Sequence, residues 1–402
     1  MLFRQLLIDE FNARRNDFAS FAENQHEVLQ DYIALLRDLG ARTNDSIRRQ
    51  LGSRTDIGAL PSDELNDFRG VTKDFEPKWK NHEEARNWAL EILLNRVTFA
   101  ADASQILPGR EISLPVAAIQ VGAFENPHSA NVEYKKFAKF ILIPPNELLE
   151  SDLSDEKPIS TETIVGFKRF EAEVETIKTF LESKKGWQNR GERAPLAFFD
   201  GTLLISISLP RTTIQNQFIN KIVELVDVSR ETKVPLIGFV DNSYARDLIG
   251  LLDATNTNLL HQRSQSLYDE QLLGVETLKL WGERTAFFYC QRRGLSDFFS
   301  DADGNPKVGF VYLQTTGNGG AARIDVPSWI YENGLLSEVL DSVCAECVIG
   351  LGYPYSLETA DATAVITAKD REVFLRALQD FAIRENLNFR VANKRISKSR
   401  RR

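Results

Sequence analysis

Only three cysteines and four histidines occur in 402 residues, and no G-x-x-x-x-G-K-[ST] run is present. Three cysteines in so long a chain cannot build a disulfide framework, which agrees with a reducing compartment. Cys344-Ala-Glu-Cys347 has redox or zinc spacing. It lies in an apolar helical run with only Cys290 as a further thiol, so it reads as buried core. His26, His82, His128 and His261 are scattered without ligand spacing, which leaves little support for a histidine-centred metal or triad mechanism. The missing phosphate loop excludes ATP hydrolysis by this chain itself. The longest nearly uncharged apolar stretch, Leu114 to Phe124, is far shorter than the ~20 residues that span a bilayer. Arg4, Asp9 and Glu10 interrupt the region where a signal peptide needs an apolar segment, so a cytoplasmic protein is expected.

What is present is ordinary globular composition, 43% apolar and 26% charged, which excludes collagenous, low-complexity or wholly disordered chains. The length suggests two to three domains, or one enlarged domain with a helical appendage. The net charge of −8 hides an asymmetry. Arg390, Lys394, Arg395, Lys398, Arg400, Arg401 and Arg402 form a tail without an acid, so the remainder carries −15. A basic tail can attract nucleic-acid phosphates by releasing counterions, or be no more than a solvated end. An acidic body argues against a broad DNA-binding face and for a local channel.

The chain divides by pattern into a helical N-terminal extension (1–95), a main domain (96–389) and the basic tail (390–402). In the extension, Val28, Tyr32, Leu35 and Leu36 recur at helical spacing, as do Ala85, Trp88, Ala89, Ile92 and Leu93 behind Glu83 and Glu84. Gly52 to Pro77 between them reads as loop. From Val97 the pattern becomes three β runs, to Asp102, from Pro115 to Phe124 and from Tyr134 to Ile143. A long helix from Thr161 to Ser183 follows, then strand, helix, strand and helix through Leu252. Three strands, helix, strand, helix, strand is the order of an α/β, ribonuclease H-like mixed sheet flanked by helices. Further strands are expected over 285–290, 308–313 and 322–326, with Thr315 to Gly320 as hairpin turn, and helices over 327–347 and 369–384.

Two acids close apolar strand runs, Ala101-Asp102-Ala103 and Phe199-Asp200-Gly201. Strand-end placement would aim both carboxylates at one edge of the sheet, and the long helix adds Glu171 or Glu173. Carboxylates that converge repel one another unless a divalent cation neutralises them, and hard oxygen donors select Mg²⁺ or Mn²⁺. Such ions assist phosphodiester cleavage by activating water and stabilising the leaving oxygen. Either aspartate alone reads as a turn cap, whereas the pair in this order favours a metal site. Helical geometry hardly separates Glu171 from Glu173, which lie either side of the apolar stripe's centre. Asp241, ending another parallel strand, is either a further ligand or a helix cap.

Phe99-Ala-Ala-Asp102-Ala-Ser-Gln-Ile106, Phe198-Phe-Asp200-Gly-Thr-Leu-Leu204, Val234-Pro-Leu-Ile-Gly-Phe239 and Gly352-Tyr-Pro-Tyr-Ser-Leu-Glu-Thr-Ala-Asp361 together resemble the NurA nucleases of DNA end processing. The resemblance covers roughly residues 95 to 385. It implies a ribonuclease H-like core, Mn²⁺-dependent 5′ to 3′ exonuclease and single-strand endonuclease activity, a homodimer, and work with a HerA-type hexameric ATPase. Carried over by position, it makes Asp102, Asp200 and the helix glutamate metal ligands and Tyr353 part of the final active-site motif. Ala103 stands where the family usually has glycine, and Asp361 where it has histidine.

Asp361 either binds metal or orients water in place of histidine, or marks a weakened site. Two further readings compete: a non-catalytic scaffold that binds and regulates a translocase, and a metal-free hydrolase using paired carboxylates as acid and base. Arg284, Arg292 and Arg293 are candidate phosphate contacts, with Lys394 and Arg395 of the tail. Trp281 and Trp329 read as core rather than base-stacking platforms.

Overall fold

β-Branched and aromatic alternation produces the strands of this protein, and capped 3.6-period stripes its helices. The computed structural model describes residues 3–68, 70–109, 112–149, 159–205, 211–256, 264–274, 277–317 and 319–390. Contacts divide the chain into two compact units: 1–78 with 240–328, and 79–239 with 329–402.

The second unit holds a mixed sheet of five strands: β1 (Thr98–Ile106), β2 (Ala117–Asn126), β3 (Lys135–Ile143), β4 (Leu196–Asp200) and β5 (Leu236–Val240). Their spatial order is β5-β4-β1-β2-β3. The first three are antiparallel neighbours, and β4 and β5 run parallel to β1. This is the ribonuclease H-like arrangement expected from the order of elements. Its longer helices are α1 (His82–Leu93), α2 (Thr161–Ser183), α3 (Thr213–Thr232), α4 (Leu336–Ile349), α5 (Tyr355–Ala364) and α6 (Ala368–Arg384). The side chain of Ser160 caps α2 by accepting from the Thr163 amide.

Successive strand residues face opposite sides. Phe99 of β1 stacks on Phe180 of α2, centroids 4.4 Å apart, so that helix covers one face. On the other, a Cβ at Gly122 of β2 would lie 2.4 Å from the Ala364 nitrogen of α5. The missing side chain lets α5 lie directly on the sheet at that level. Residues 79–95, grouped with the N-terminal extension by pattern, pack in this unit: Ala89 and Leu93 of α1 share a buried cluster with Ala345 of α4.

The first unit joins four antiparallel strands in the order Gly58–Pro61, Phe288–Gln291, Val308–Leu313 and Ala322–Pro327. Part of the stretch read as loop, Gly52 to Pro77, therefore carries an edge strand and, at Thr72–Lys73, a short second pairing with Arg284–Thr285. Those strands are too brief for an alternating pattern to stand out. The expected helix over 327–347 is two, Ser328–Glu332 and α4, because Gly334 at φ 71° turns the chain between them. No helix among the described residues is long and apolar enough to cross a membrane.

Candidate active site

Asp102 does not close its strand; β1 continues to Ile106. What ends beside it is the pairing with β4, whose last rung is Ala101 with Phe199. Asp102 and Asp200 are the next residues on these parallel neighbours, so their carboxylates fall on the same side of the sheet. Directly across from Asp102 on β2 stands Gly122, and over that glycine lies α5, which carries Asp361. The turn before α5 leaves α4 through Leu351 (φ 57°) and Gly352 (φ 113°) and brings Tyr353 to Asp200, where its hydroxyl donates to Oδ1 at 2.9 Å. The Tyr353 ring packs edge-on against Phe239 of β5.

The fourth carboxyl is Glu173. On α2 the buried residues Phe170, Glu173, Val174 and Ile177 form one stripe, and Glu173 is only 5% exposed. Glu171 turns outward to an ion pair with Lys221 at 3.1 Å. The two glutamates that spacing left equivalent therefore differ sharply in environment. Glu175 also meets Lys221, at 2.9 Å.

These acids feel one another. Burial first, and then the charges of Asp361 and Asp200, raise the Asp102 carboxyl to about 6, against a lowering hydrogen bond from the Ala103 amide. A hydrogen bond with Asp361 adds to the rise. Glu173 is pushed up to about 8, by burial foremost and by the Asp102 charge next; Arg169 opposes the shift. Among the described residues no group of three or more His, Cys, Asp or Glu side chains is placed so as to hold a metal ion. The donor set nevertheless suits a hard divalent cation. It consists of carboxylates alone, and the upward shifts of Asp102 and Glu173 mark crowded negative charge that a cation would offset.

Neighbouring contacts fix this geometry. Buried Glu346 of α4 accepts from the Ser356 amide at 2.8 Å and its hydroxyl at 3.0 Å, locking the first turn of α5. His128 lies 3.2 Å from the same carboxylate and 2.9 Å from the Thr98 hydroxyl on β1. The histidine is an internal tie, as its lack of ligand spacing implies. Ala103 is buried in extended strand, and its carbonyl accepts from Arg169 Nη1 at 2.8 Å.

The remaining sequence candidates have surroundings of their own. Asp241 belongs to the first unit, is exposed, and has Glu270 as its electrostatic neighbour. Arg292 is not a surface phosphate contact. Its Nε and Nη2 grip buried Asp247 at 2.8 and 2.7 Å, and Arg323 Nη1 joins them at 2.6 Å. Arg284 is likewise committed to Glu64. Arg293 is exposed. Lys394 and Arg395 lie outside the described residues. Trp281 and Trp329 donate to the Thr315 carbonyl and Ser229 hydroxyl, and Cys344 and Cys347 are buried. Sequence reasoning missed Arg169, Gly122 and Glu346; a glycine inside the apolar run of β2 was the available signal for one of them.

The profile of the NurA domain matches residues 96–366. The chain belongs to the NurA family. That membership supports a nuclease role. Among solved structures this NurA-family chain is similar to NurA with manganese, at 11% identity and a TM-score of 0.38 over 79% of this chain and 95% of that one. A second is NurA bound to dAMP and manganese, at 11% identity, TM-score 0.38, 71% of this chain and 88% of that one. A third is the catalytic domain of human endonuclease V, at 12% identity, TM-score 0.29, 74% and 96%. Comparison with curated protein sequences gives no match.

Proposed function

We propose that this protein is a divalent-metal-dependent deoxyribonuclease acting on single-stranded DNA and resected ends in double-strand break repair. It would combine 5′ to 3′ exonuclease with single-strand endonuclease activity, as a homodimer working with a HerA-type hexameric ATPase. The observation that carries the chemical part is the electrostatic reach among Asp102, Glu173, Asp200 and Asp361, which raises the Asp102 and Glu173 carboxyls. The proposed ligands for Mn²⁺ or Mg²⁺ are Asp102, Glu173 and Asp200, with Asp361 sharing the Asp102 side of the pocket. Glu171 is left out of the proposed set because it pairs with Lys221, and Asp241, exposed just after β5, is kept as a further candidate ligand.

A bound divalent cation supplies charge neutralisation at the phosphate and activation of the attacking water. The chain's own residues do the rest. Tyr353 donates to Asp200 and so fixes which oxygen of that carboxylate faces the pocket. Asp361, whose charge reaches Asp102, is proposed to bind the cation or orient the attacking water in the place of the family's histidine. Its placement supports the reading in which aspartate does the work of the family's histidine, over that of a scaffold with a spoiled site. Exposed Arg293 and the tail residues Lys394 and Arg395 are proposed as outer phosphate contacts.

The test is purified protein incubated with a single-stranded oligonucleotide. Degradation in Mn²⁺ is expected, with none in EDTA and a loss of at least a hundredfold in Asp200→Asn. A folded protein that leaves the DNA intact in Mn²⁺ overturns the nuclease reading, and cleavage that persists in EDTA overturns metal dependence.

A further inference from the structure

Arginine beside a carboxylate cluster is expected to pair with it. Arg169 does not. It stands one helical turn before Glu173 on α2, close enough to lower that carboxyl's pKa. Yet among the described residues its guanidinium lies within ion-pair distance of no acid, and its one hydrogen bond goes to a backbone carbonyl, Ala103 O, at 2.8 Å. The other cations of the same helix behave differently: Lys168 meets Glu147 at 2.7 Å, and Lys178 pairs with Glu224. The contrast is one of placement, because the Ala103 carbonyl belongs to the residue after Asp102 and pins the guanidinium to the strand that carries the first acid.

A guanidinium has five N–H donors in a rigid fork, always charged and shaped for two oxygens of a phosphate. One donor serves Ala103, which leaves four. Arg169 is half-buried, so these donors are neither lost in the core nor spread into bulk water. A site made of acids presents a further difficulty, since a phosphodiester must approach carboxylates of its own sign. A fixed cation at the rim offsets that repulsion and orients the phosphate before reaction.

We propose that Arg169 holds the DNA phosphate at this site, its free N–H fork donating to non-bridging oxygens of the phosphodiester being cleaved or its immediate neighbour. This rests on the nuclease reading for the reaction, but the contact itself is one of binding. The rival role is purely internal: Arg169 as a tie between α2 and β1 that softens the charge of Glu173. The two roles predict different measurements.

Arg169→Ala and Arg169→Lys are compared with wild type for single-stranded oligonucleotide affinity in EDTA, by fluorescence anisotropy across salt concentrations, and for cleavage in Mn²⁺. Phosphate holding predicts Kd and KM raised about tenfold or more in Arg169→Ala. It also predicts a salt dependence shallower by about 0.7 in log–log slope, one single-strand phosphate contact. Arg169→Lys, which keeps the charge and loses the fork, should recover part of the affinity. Mn²⁺ affinity by calorimetry should stay within about threefold of wild type. Unchanged Kd and salt slope in a folded Arg169→Ala overturn the proposal, as does a change confined to Mn²⁺ affinity. If Arg169→Ala does not fold, Arg169→Gln, which can still donate to the Ala103 carbonyl but carries no charge, decides by the same affinity and salt criteria. Wild-type protein that binds DNA without cleaving it would count against the nuclease reading alone and leave the binding comparison intact.

Discussion

Glu173 places a carboxyl that is almost fully covered within electrostatic reach of Asp102 and Asp200. In the fold it titrates at about 8, against an ordinary value of 4.5. Below the lower value both folded and unfolded chains hold the proton, and the full stability is present. As pH rises between the two, the unfolded chain releases its proton first and stability falls; above the higher value the loss is complete. Metal-free protein should therefore melt at lower temperature at pH 8.5 than at pH 5.5. Glu173→Gln, which carries no charge at either pH, should remove most of that slope and be more stable than wild type at pH 8.5, by on the order of a few kcal/mol. Mn²⁺ should reverse the order, raising the melting temperature of wild type most at alkaline pH, because cation and proton compete for the same oxygens. Thermal unfolding at the two pH values, with and without Mn²⁺, checks it; a flat wild-type profile would remove Glu173 from the pocket. The same residue shows what the sequence could not resolve. Glu171 and Glu173 flank the apolar stripe almost symmetrically, and only the position of Lys221 on α3 draws one of them outward. That cation is some fifty residues away in the chain, beyond any local pattern.

At the level of elements, the approach of α5 to the sheet depends on one absent side chain. A Cβ on Gly122 would meet the Ala364 nitrogen at 2.4 Å, the Thr363 carbonyl carbon at 2.7 Å and the Ala360 oxygen at 2.8 Å, all backbone atoms that cannot rotate aside. Gly122→Ala must push α5 off β2, and Asp361 moves with it. The expected cost is about 1–3 kcal/mol of stability, together with a fall in cleavage larger than the stability loss alone would give. Gly166, inside α2 with open space around its Cα, is the control: Gly166→Ala should stabilise by about 0.5–1 kcal/mol and leave cleavage unchanged. Denaturant melts and initial cleavage rates of the two variants measure both effects, and equal behaviour would show that α5 is not seated by Gly122. The elements themselves were legible to different degrees. Alternation and stripes located β1, β2, β3 and the full span of α2, because each is long enough to show its period. They did not reveal α5 as a helix, since Tyr355 to Ala364 is short and mixed in composition, nor the end of the β4 pairing that makes Asp102 a site residue in mid-strand. Strand pairing is a relation between distant segments, which one-dimensional patterns do not contain.

For the whole molecule, the linear division at residue 95 gives way to interleaving: residues 1–78 return to company with 240–328, while 79–239 are completed by 329–402. Contacts between segments so far apart leave no local trace, so composition locates the acids and the basic tail but not the units that carry them. The charge layout has a consequence of its own. A body of −15 repels DNA over its general surface, and the tail concentrates seven positive charges after residue 389. The first residue of the tail is anchored: the Ser113 amide donates to the Arg390 carbonyl at 3.0 Å, and the Arg390 amide to the Ser113 hydroxyl at 2.8 Å. Ser113 precedes β2, whose first rungs pair with the end of β1 four residues past Asp102, so the anchor lies towards the acid end of the sheet. Four residues of strand are about 13 Å, and a dozen residues of chain can extend roughly 40 Å. Removing residues 391–402 deletes six cations and should weaken single-stranded DNA binding at low salt by more than tenfold. The log–log salt slope should become shallower by up to about 4, the value for six lost phosphate contacts on a single strand. Because the acids and Arg169 remain in place, the turnover rate at saturating DNA should hold while KM rises. Anisotropy titrations across salt and saturation kinetics separate these quantities. An unchanged slope would mean that the tail is only a solvated end, and a fall in turnover with unchanged KM would assign it to the chemistry instead of to capture.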